Sequence, residues 1–391
     1  MRVGIIVLIL SYLLSQFYRA FLAVLAPVLS QDLGATPQML ASASGGWFLA
    51  FAVMQLPVGA ALDRFGPRRT TALLLAIAAL GAALFAMATG PQSIRWAMIL
   101  IGMGCSSVLM ASYFIFARLY SPAVFGSLAG LVIAVGSLGN IAASLPLTWA
   151  VGLMGWRGAL WALSGLTLFA AAAILALVRD PPRTEGSAQG SVLDLLRLPA
   201  LWPILVMMAA CYAPAAGLRG LWIGPWYADV FGADTGRIGQ VTLIMGLAMV
   251  AGNMAYGPME RILGSRKWLI FGGNTLMLVC LVGLWARPDV DSGRTLVLLA
   301  GVGLFGASFP MVMAHGRAFL PPHLTGRGVS LINLFGIGTA GLMQMATGRL
   351  FSALQDSAAG PTAAYQGIFA AYIALVGLGL AIYLLSKDRT D

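Results

Sequence analysis

The chain is built from apolar runs separated by short polar turns, repeated along its whole length. Each run is about 20 residues, enough to cross a hydrocarbon core of ~30 Å as a helix. Hydrophobic residues make up 60% of the chain and charged residues 9%, too little polarity to coat a soluble fold of this size. A segment inside a bilayer must satisfy its own backbone hydrogen bonds, which favours helices. The expectation is an all-α membrane protein.

Twelve spans are predicted, near residues 3–29, 38–62, 70–89, 96–118, 125–152, 157–178, 200–228, 239–259, 268–286, 295–318, 329–351 and 365–386. An even number puts both termini on one side. That side carries Arg2, Arg64, Arg68, Arg69, Arg118, Arg179, Arg183, Arg197, Arg261, Arg266, Lys267, Arg317, Arg327, Lys387 and Arg389. The other side has only Arg95, Arg157, Arg237, Arg287, Arg294 and Arg349. Cytoplasmic loops carry the excess of basic residues, so both termini are expected in the cytoplasm. The same loops account for the net charge of +10 without nucleic acid as a partner. Met1 and Arg2 ahead of an apolar run resemble a signal peptide. That run is too long, and Arg19 would break its core, so it is read as an uncleaved first span. Cys105, Cys211 and Cys280 all lie inside apolar runs and match neither a metal spacing nor a disulfide framework.

The polar stretch from Arg179 to Arg197, with Pro181 and Pro182, divides the chain. The predicted organisation is a six-helix half over 1–179, a cytoplasmic loop over 180–198 and a second six-helix half over 199–391. The halves match at an offset near 200: Gly34 with Gly232, Asp63 and Arg64 with Glu260 and Arg261, Gly136 with Gly336. The stretch from Arg118 to Gly126, with Ser121 and Pro122, likewise matches Arg317 to Gly326, with Pro321 and Pro322. This is a parallel repeat about an axis along the membrane normal.

Arg19 lies in the apolar run of span one, and Arg219 in that of span seven. Tyr12 precedes the first by seven residues, and Tyr212 the second by the same seven. A charge at the centre of a membrane helix costs about 2.5–3.5 kcal/mol on insertion scales, so it is rarely there without a job. No Asp or Glu falls mid-membrane, and Asp32 and Asp229 are too far along to pair within the helix. Two cations at matching depth predict an anion site, since a guanidinium fork matches oxyanions and stays charged when partly desolvated. Ideal helical spacing puts Tyr12, Ser15, Gln16, Arg19 and Ala23 on one face. It does the same for Tyr212, Ala215, Ala216, Arg219, Trp222 and Trp226. The alternative for the arginines is a structural role, snorkelling or an ion-paired gate.

Gly59, Asp63, Arg64, Gly66, Arg68 and Arg69 after span two resemble the signature loop of the major facilitator superfamily. Gly257, Glu260, Arg261, Arg266 and Lys267 after span eight resemble its degenerate copy. The resemblance covers the whole chain. It implies twelve transmembrane helices in two pseudo-symmetric halves, with a central cavity lined mainly by spans one, four, seven and ten. It also implies that Asp63, Arg64, Arg68, Arg69, Glu260 and Arg261 form a conformational latch, with Asp63 pairing to the basic cluster. Tyr18, Arg19 and Pro27 look like the organophosphate:phosphate antiporters, in which arginines of spans one and seven hold phosphate; Arg219, Trp222 and Pro225 are similar. The additional basic residue of that branch in span two is missing. Span four lacks the arginine of proton-coupled members before Gly102 and Gly104. Span five reads Gly136, Gly139 and Asn140 where drug exporters carry a Gly-Pro pattern.

These readings predict a secondary active or facilitative transporter, not an enzyme, for a small carboxylate, phosphate ester or sulfonate. No cofactor or metal is expected, and the protein is expected to be monomeric in an inner membrane. Substrate-binding candidates are Arg19, Arg219, Tyr12, Gln16, Tyr18, Tyr113, Tyr212, Trp222 and Ser308. Ser107, Ser112 and Phe309 are weaker candidates. Asn140, Asn253, Asn333 and Gln344 are read as amides that hold helices together. His315 is read as a helix-end hydrogen-bonding group. Without a mid-membrane carboxylate, exchange or facilitated diffusion is expected, or a substrate that itself carries the proton. The alternatives are a membrane sensor of a related anion, and a copper importer using Met245 and Met249.

Overall fold

A computed structural model describes residues 2–120, 122–182, 192–321, 324–355 and 360–389. Arg183, Ser121, Pro322 and Asp391 lie outside the described residues. The regular structure among the described residues is helical. Ten helices are long and apolar enough to cross a membrane, and the bent pair Val3–Tyr18 and Leu22–Leu33 makes an eleventh span. The remaining predicted span, near 125–152, is not one helix. Pro122–Ala142 stops, and a new helix starts at Leu145. At the break the Ser144 hydroxyl donates to the Ile141 carbonyl, and Pro146 has no N–H to continue the ladder. Gly155, at φ +70°, then reverses the chain into span six.

The chain divides into two compact units, Met1–Glu185 and Gly186–Asp391. In the first, span one packs on five, two on four, and three on both four and six. In the second, span seven packs on eleven, eight on ten, and nine on both ten and twelve. The pairing is the same in both, as a parallel repeat requires. Two glycines, one in each half, show how close it is. A methyl at Gly102 would strike the Trp47 carbonyl oxygen, and one at Gly252 that of Leu304. Each lets span two or eight meet its partner backbone to backbone, the usual basis of tight packing in lipid. Gly34 and Gly232, matched in sequence, close spans one and seven with the same left-handed geometry, φ 61° and ψ 27°.

Large apolar side chains are exposed on each unit, Leu153, Phe169, Met254 and Ile262 among them. The interior of the first unit is a cluster around Leu8, Tyr12, Leu75, Val108, Phe116 and Ile174.

Candidate functional site

All four predicted cavity spans are interrupted. Span one breaks between Tyr18 and Leu22 with a bend of 48°. Span seven contains a π-helical segment, Leu218–Trp222. Span four breaks between Cys105 and Val108, and span ten between Phe305 and Phe309. Arg19 sits in the first break and Arg219 in the π segment. Interruptions of this kind free backbone groups, and neighbours must take them up or a ligand must.

At span four the neighbours do so. The Ser15 hydroxyl donates to the Cys105 carbonyl at 3.3 Å, and the Gln55 amide donates to the Ser106 carbonyl at 3.3 Å. At span ten the Tyr256 hydroxyl donates to the Phe305 carbonyl at 2.6 Å, and the Asn274 amide to the Ser308 hydroxyl at 2.9 Å. Gln55 of span two and Tyr256 of span eight thus do the same work in the two halves. Neither stood out in the sequence, where one is an uncharged amide and the other a single tyrosine.

In the first half Arg19 is half-buried. Its guanidinium carbon lies 5.4 Å from the Trp47 ring centre and 5.2 Å from that of Phe51. The two rings stack on each other, four residues apart on span two. Aromatic faces attract a cation at this range. Trp47 and Phe51 were not among the predicted site residues, although their spacing of one helical turn was visible.

In the second half Arg219 is 4% exposed. It meets span eight at Gly246, where a methyl would come within 3.0 Å of Nε. The Tyr212 ring packs against Phe309 of span ten at 5.0 Å.

The other predicted side chains divide among different neighbours. Tyr12 and Gln16 lie against Gly136 of span five, and Tyr113 packs on the cluster that holds Tyr12. Tyr18 is fully buried and shares a hydrogen bond with Thr167 of span six at 2.9 Å. Trp222 donates to Thr347 of span eleven at 3.1 Å and stacks near Phe351 and Tyr365. Ser308 is buried against Asn274. The single faces drawn from ideal spacing are therefore corrected. The break at Arg19 and the π segment at Arg219 interrupt the regular period on which those faces were drawn, and Tyr18 and Trp222 make packing contacts with other spans. His315 is held by Tyr383 and by the Lys387 carbonyl, at 2.7 and 2.9 Å. Met245 and Met249 both close on Gly303 of span ten, which is a packing contact. Among the described residues no group of three His, Cys, Asp or Glu could hold a metal ion.

The signature-loop residues are engaged within their own halves. Asp63 pairs with Arg118 at the end of span four, at 3.4 Å, where the adjacent basic cluster had been expected. The backbone N–H of Arg68 donates to Asp180 at 2.8 Å, and its side chain to the Leu175 carbonyl at 2.5 Å. Glu260 pairs with Arg266 at 2.6 Å. Arg64 lies over Phe65, and Arg69 and Arg261 are exposed. At the opposite ends of spans one and seven, Asp32 accepts from Trp156 at 2.7 Å and lies 4.0 Å from Arg157, and Asp229 accepts from Tyr365 at 2.5 Å.

Among known proteins, the chain is 24% identical over 347 residues to a probable L-galactonate transporter of Escherichia coli K12, covering 78% of this chain and 73% of that one. Its fold is similar to that of a crystallised nucleoside transporter, with a TM-score of 0.77 at 13% identity over 98% of this chain and 99% of the other. A D-xylose-proton symporter matches with a TM-score of 0.77 at 14% identity, over 97% and 96%. A bacterial homologue of the human lysosomal transporter Spinster matches at 0.73 and 15% identity, over 97% and 95%. Residues 8–345 match the Major Facilitator Superfamily, and the chain belongs to that family as a multi-pass membrane transporter rather than an enzyme.

Proposed function

We propose that this transporter carries a small organic anion by alternating access, with Arg19 and Arg219 binding the anionic group. The observation that carries the reading is the placement of one arginine per half at an interruption of its span, at matching positions of the repeat. A guanidinium offers a planar fork of donors suited to a carboxylate. Engaging one ligand from both halves couples binding to their movement, as a rocking carrier requires. Because the relative in Escherichia coli is described as a probable L-galactonate transporter, sugar-acid carboxylates are the first class to test, ahead of phosphate esters and sulfonates. Asp63, Arg64, Arg68, Arg69, Glu260 and Arg261 are proposed as the latch at the cytoplasmic ends of the halves. The protein is placed in an inner membrane, as a monomer with both termini cytoplasmic.

The test is uptake of labelled L-galactonate into proteoliposomes, with and without unlabelled anion inside. Saturable uptake accelerated by internal anion is expected, in keeping with exchange. Saturable binding with no movement of solute would make the protein a sensor, and indifference to every carboxylate, phosphate ester and sulfonate would refute the anion reading.

A further inference from the structure

Span three, the helix Pro67–Ala86, turns Leu73 and Leu80 outward, where both are exposed. Arg69 precedes them by about one and about three helical turns and lies on the same face. It is exposed as well, and among the described residues it makes no hydrogen bond or ion pair. In a chain that crosses a membrane, a face of this kind lies against lipid, with its charge at the level of the headgroups.

Span six adds a second arginine, and Arg68 joins the two spans. The Arg68 side chain donates from Nε to the Leu175 carbonyl, and its backbone N–H donates to Asp180. The second contact sets Arg179 beside the start of span three. Arg179 is exposed, and so are Leu175 and Leu177 just before it. Asp180 is engaged by the Arg68 backbone, and Asp63 by Arg118. Arg68, Arg69 and Arg179 against Asp180 leave an excess of positive charge beside apolar side chains that face outward.

The corresponding residues of the second half are spent differently. Asp388 caps span nine through the Lys267 N–H as Asp180 caps span three through that of Arg68. Lys267, Trp268 and Lys387 therefore stand where Arg68, Arg69 and Arg179 do. The Lys267 ammonium donates to the Leu384 and Ser386 carbonyls, and the exposed Trp268 carries no charge. Lys387 is the remaining cation of that set. The excess charge is a property of the first half rather than of the repeat.

We propose that the ends of spans three and six form a binding site for an anionic phospholipid. Arg69 and Arg179 take its phosphate, with Arg68 beside them, since a guanidinium fork matches the oxygens of a phosphate. Its acyl chains lie along Leu73, Leu80 and Leu177. The site is separate from Arg19 and Arg219 and does not depend on the identity of the transported solute.

The experiment counts lipids bound to the purified, delipidated full chain by native mass spectrometry, on titration with dioleoylphosphatidylglycerol or dioleoylphosphatidylcholine. Wild type should bind its first phosphatidylglycerol at least about tenfold more tightly than phosphatidylcholine. A basic residue beside an anionic membrane surface contributes a factor of about five. Arg69→Gln and Arg179→Gln should thus each weaken phosphatidylglycerol binding about fivefold, and the double variant about twentyfold or more, with phosphatidylcholine unaffected. Arg69→Lys/Arg179→Lys keeps both charges and should stay within about fivefold of wild type. Lys387→Gln makes the same change of charge at the counterpart of Arg179 and should stay within about twofold. These side chains are exposed, so the variants are expected to fold; should the double glutamine variant fail to, the single variants carry the test. Equal binding of the two lipids by wild type, or undiminished phosphatidylglycerol binding in the glutamine variants, would overturn the proposal. So would an equal loss in Lys387→Gln, which would reduce the effect to net charge. Displacement of bound phosphatidylglycerol by inorganic phosphate would assign the arginines to a soluble anion and overturn it as well.

Discussion

Removing the carboxyl of Asp388 should loosen the end of the second half by a predictable amount. Beyond span twelve the tail lies across the neighbouring helix ends. Asp388 accepts from the Lys267 backbone N–H at 3.0 Å and from the Ser265 hydroxyl at 2.5 Å, in the first turn of span nine. Lys267 returns hydrogen bonds to the Leu384 and Ser386 carbonyls, at 2.8 and 2.7 Å, and Arg389 reaches the Ala318 carbonyl at 3.1 Å. Asp180, after span six, caps span three through Arg68 in the same way. Loss of a helix cap costs about 0.5–2 kcal/mol, and loss of a charge at a helix N-terminus about 0.3–1 kcal/mol. Asp388→Ala should therefore cost on the order of 1.5 kcal/mol, and lower the Tm of detergent-solubilised protein by roughly 3 °C. Asn keeps the acceptor but not the charge, so Asp388→Asn should fall between. Burial works against ionisation of Asp388, but the hydrogen bonds from Ser265 and from the Lys267 backbone outweigh it and hold its carboxyl below the ordinary value. A depressed folded pKa means that the stabilisation is fully present above the unfolded value, about 3.9. It is lost as pH falls through the lower folded one. The gap between wild type and Asp388→Ala should thus be constant from pH 5 to 8 and close below about pH 4. An alanine variant that melts with wild type at pH 7, or a gap that widens in acid, would refute the argument.

Trp47→Leu removes one aromatic face from Arg19, and should weaken L-galactonate binding by about threefold to tenfold, the range of an ordinary cation–π contact. Trp47→Phe should retain most of the affinity, both read by binding titration. Gly102→Ala drives a methyl onto the Trp47 carbonyl, which no side-chain movement relieves. It should destabilise by about 1–3 kcal/mol or more, seen as lost monodisperse protein or a lower Tm, whereas an unchanged Tm would show that spans two and four can separate. Tyr256→Phe leaves the Phe305 carbonyl without its hydroxyl donor, and should cost about 0.6–1.7 kcal/mol, measured by thermal unfolding.

The helical fold and most of its apolar spans could be read from the chain, because hydropathy reports composition along a helix. Gly34 and Gly232 were legible for the same reason: a left-handed closing residue favours glycine wherever it occurs. What could not be read was where helices break. The interruptions at 106–107 and 306–308 have partners in other spans, Gln55 and Tyr256 among them, that absorb the freed carbonyls. Once a span is interrupted, the 3.6-residue period no longer tells which side chains share a face. Trp222 was assigned to the face of Arg219 on that period and is found against spans eleven and twelve. Arg118, which holds Asp63, lies 55 residues away in sequence, beyond the reach of a local motif.

The central claim is that the two arginines recognise the charge of the ligand. It is tested most directly by titrating L-galactonate and its uncharged counterpart galactitol against the wild type, Arg19→Gln and Arg219→Gln, each shown to be folded by its melting curve. The account predicts that wild type binds the acid and not the alcohol, and that each substitution abolishes the preference while the protein stays folded. Galactonate binding of wild-type strength in both folded variants would contradict it and leave Arg19 and Arg219 as structural cations.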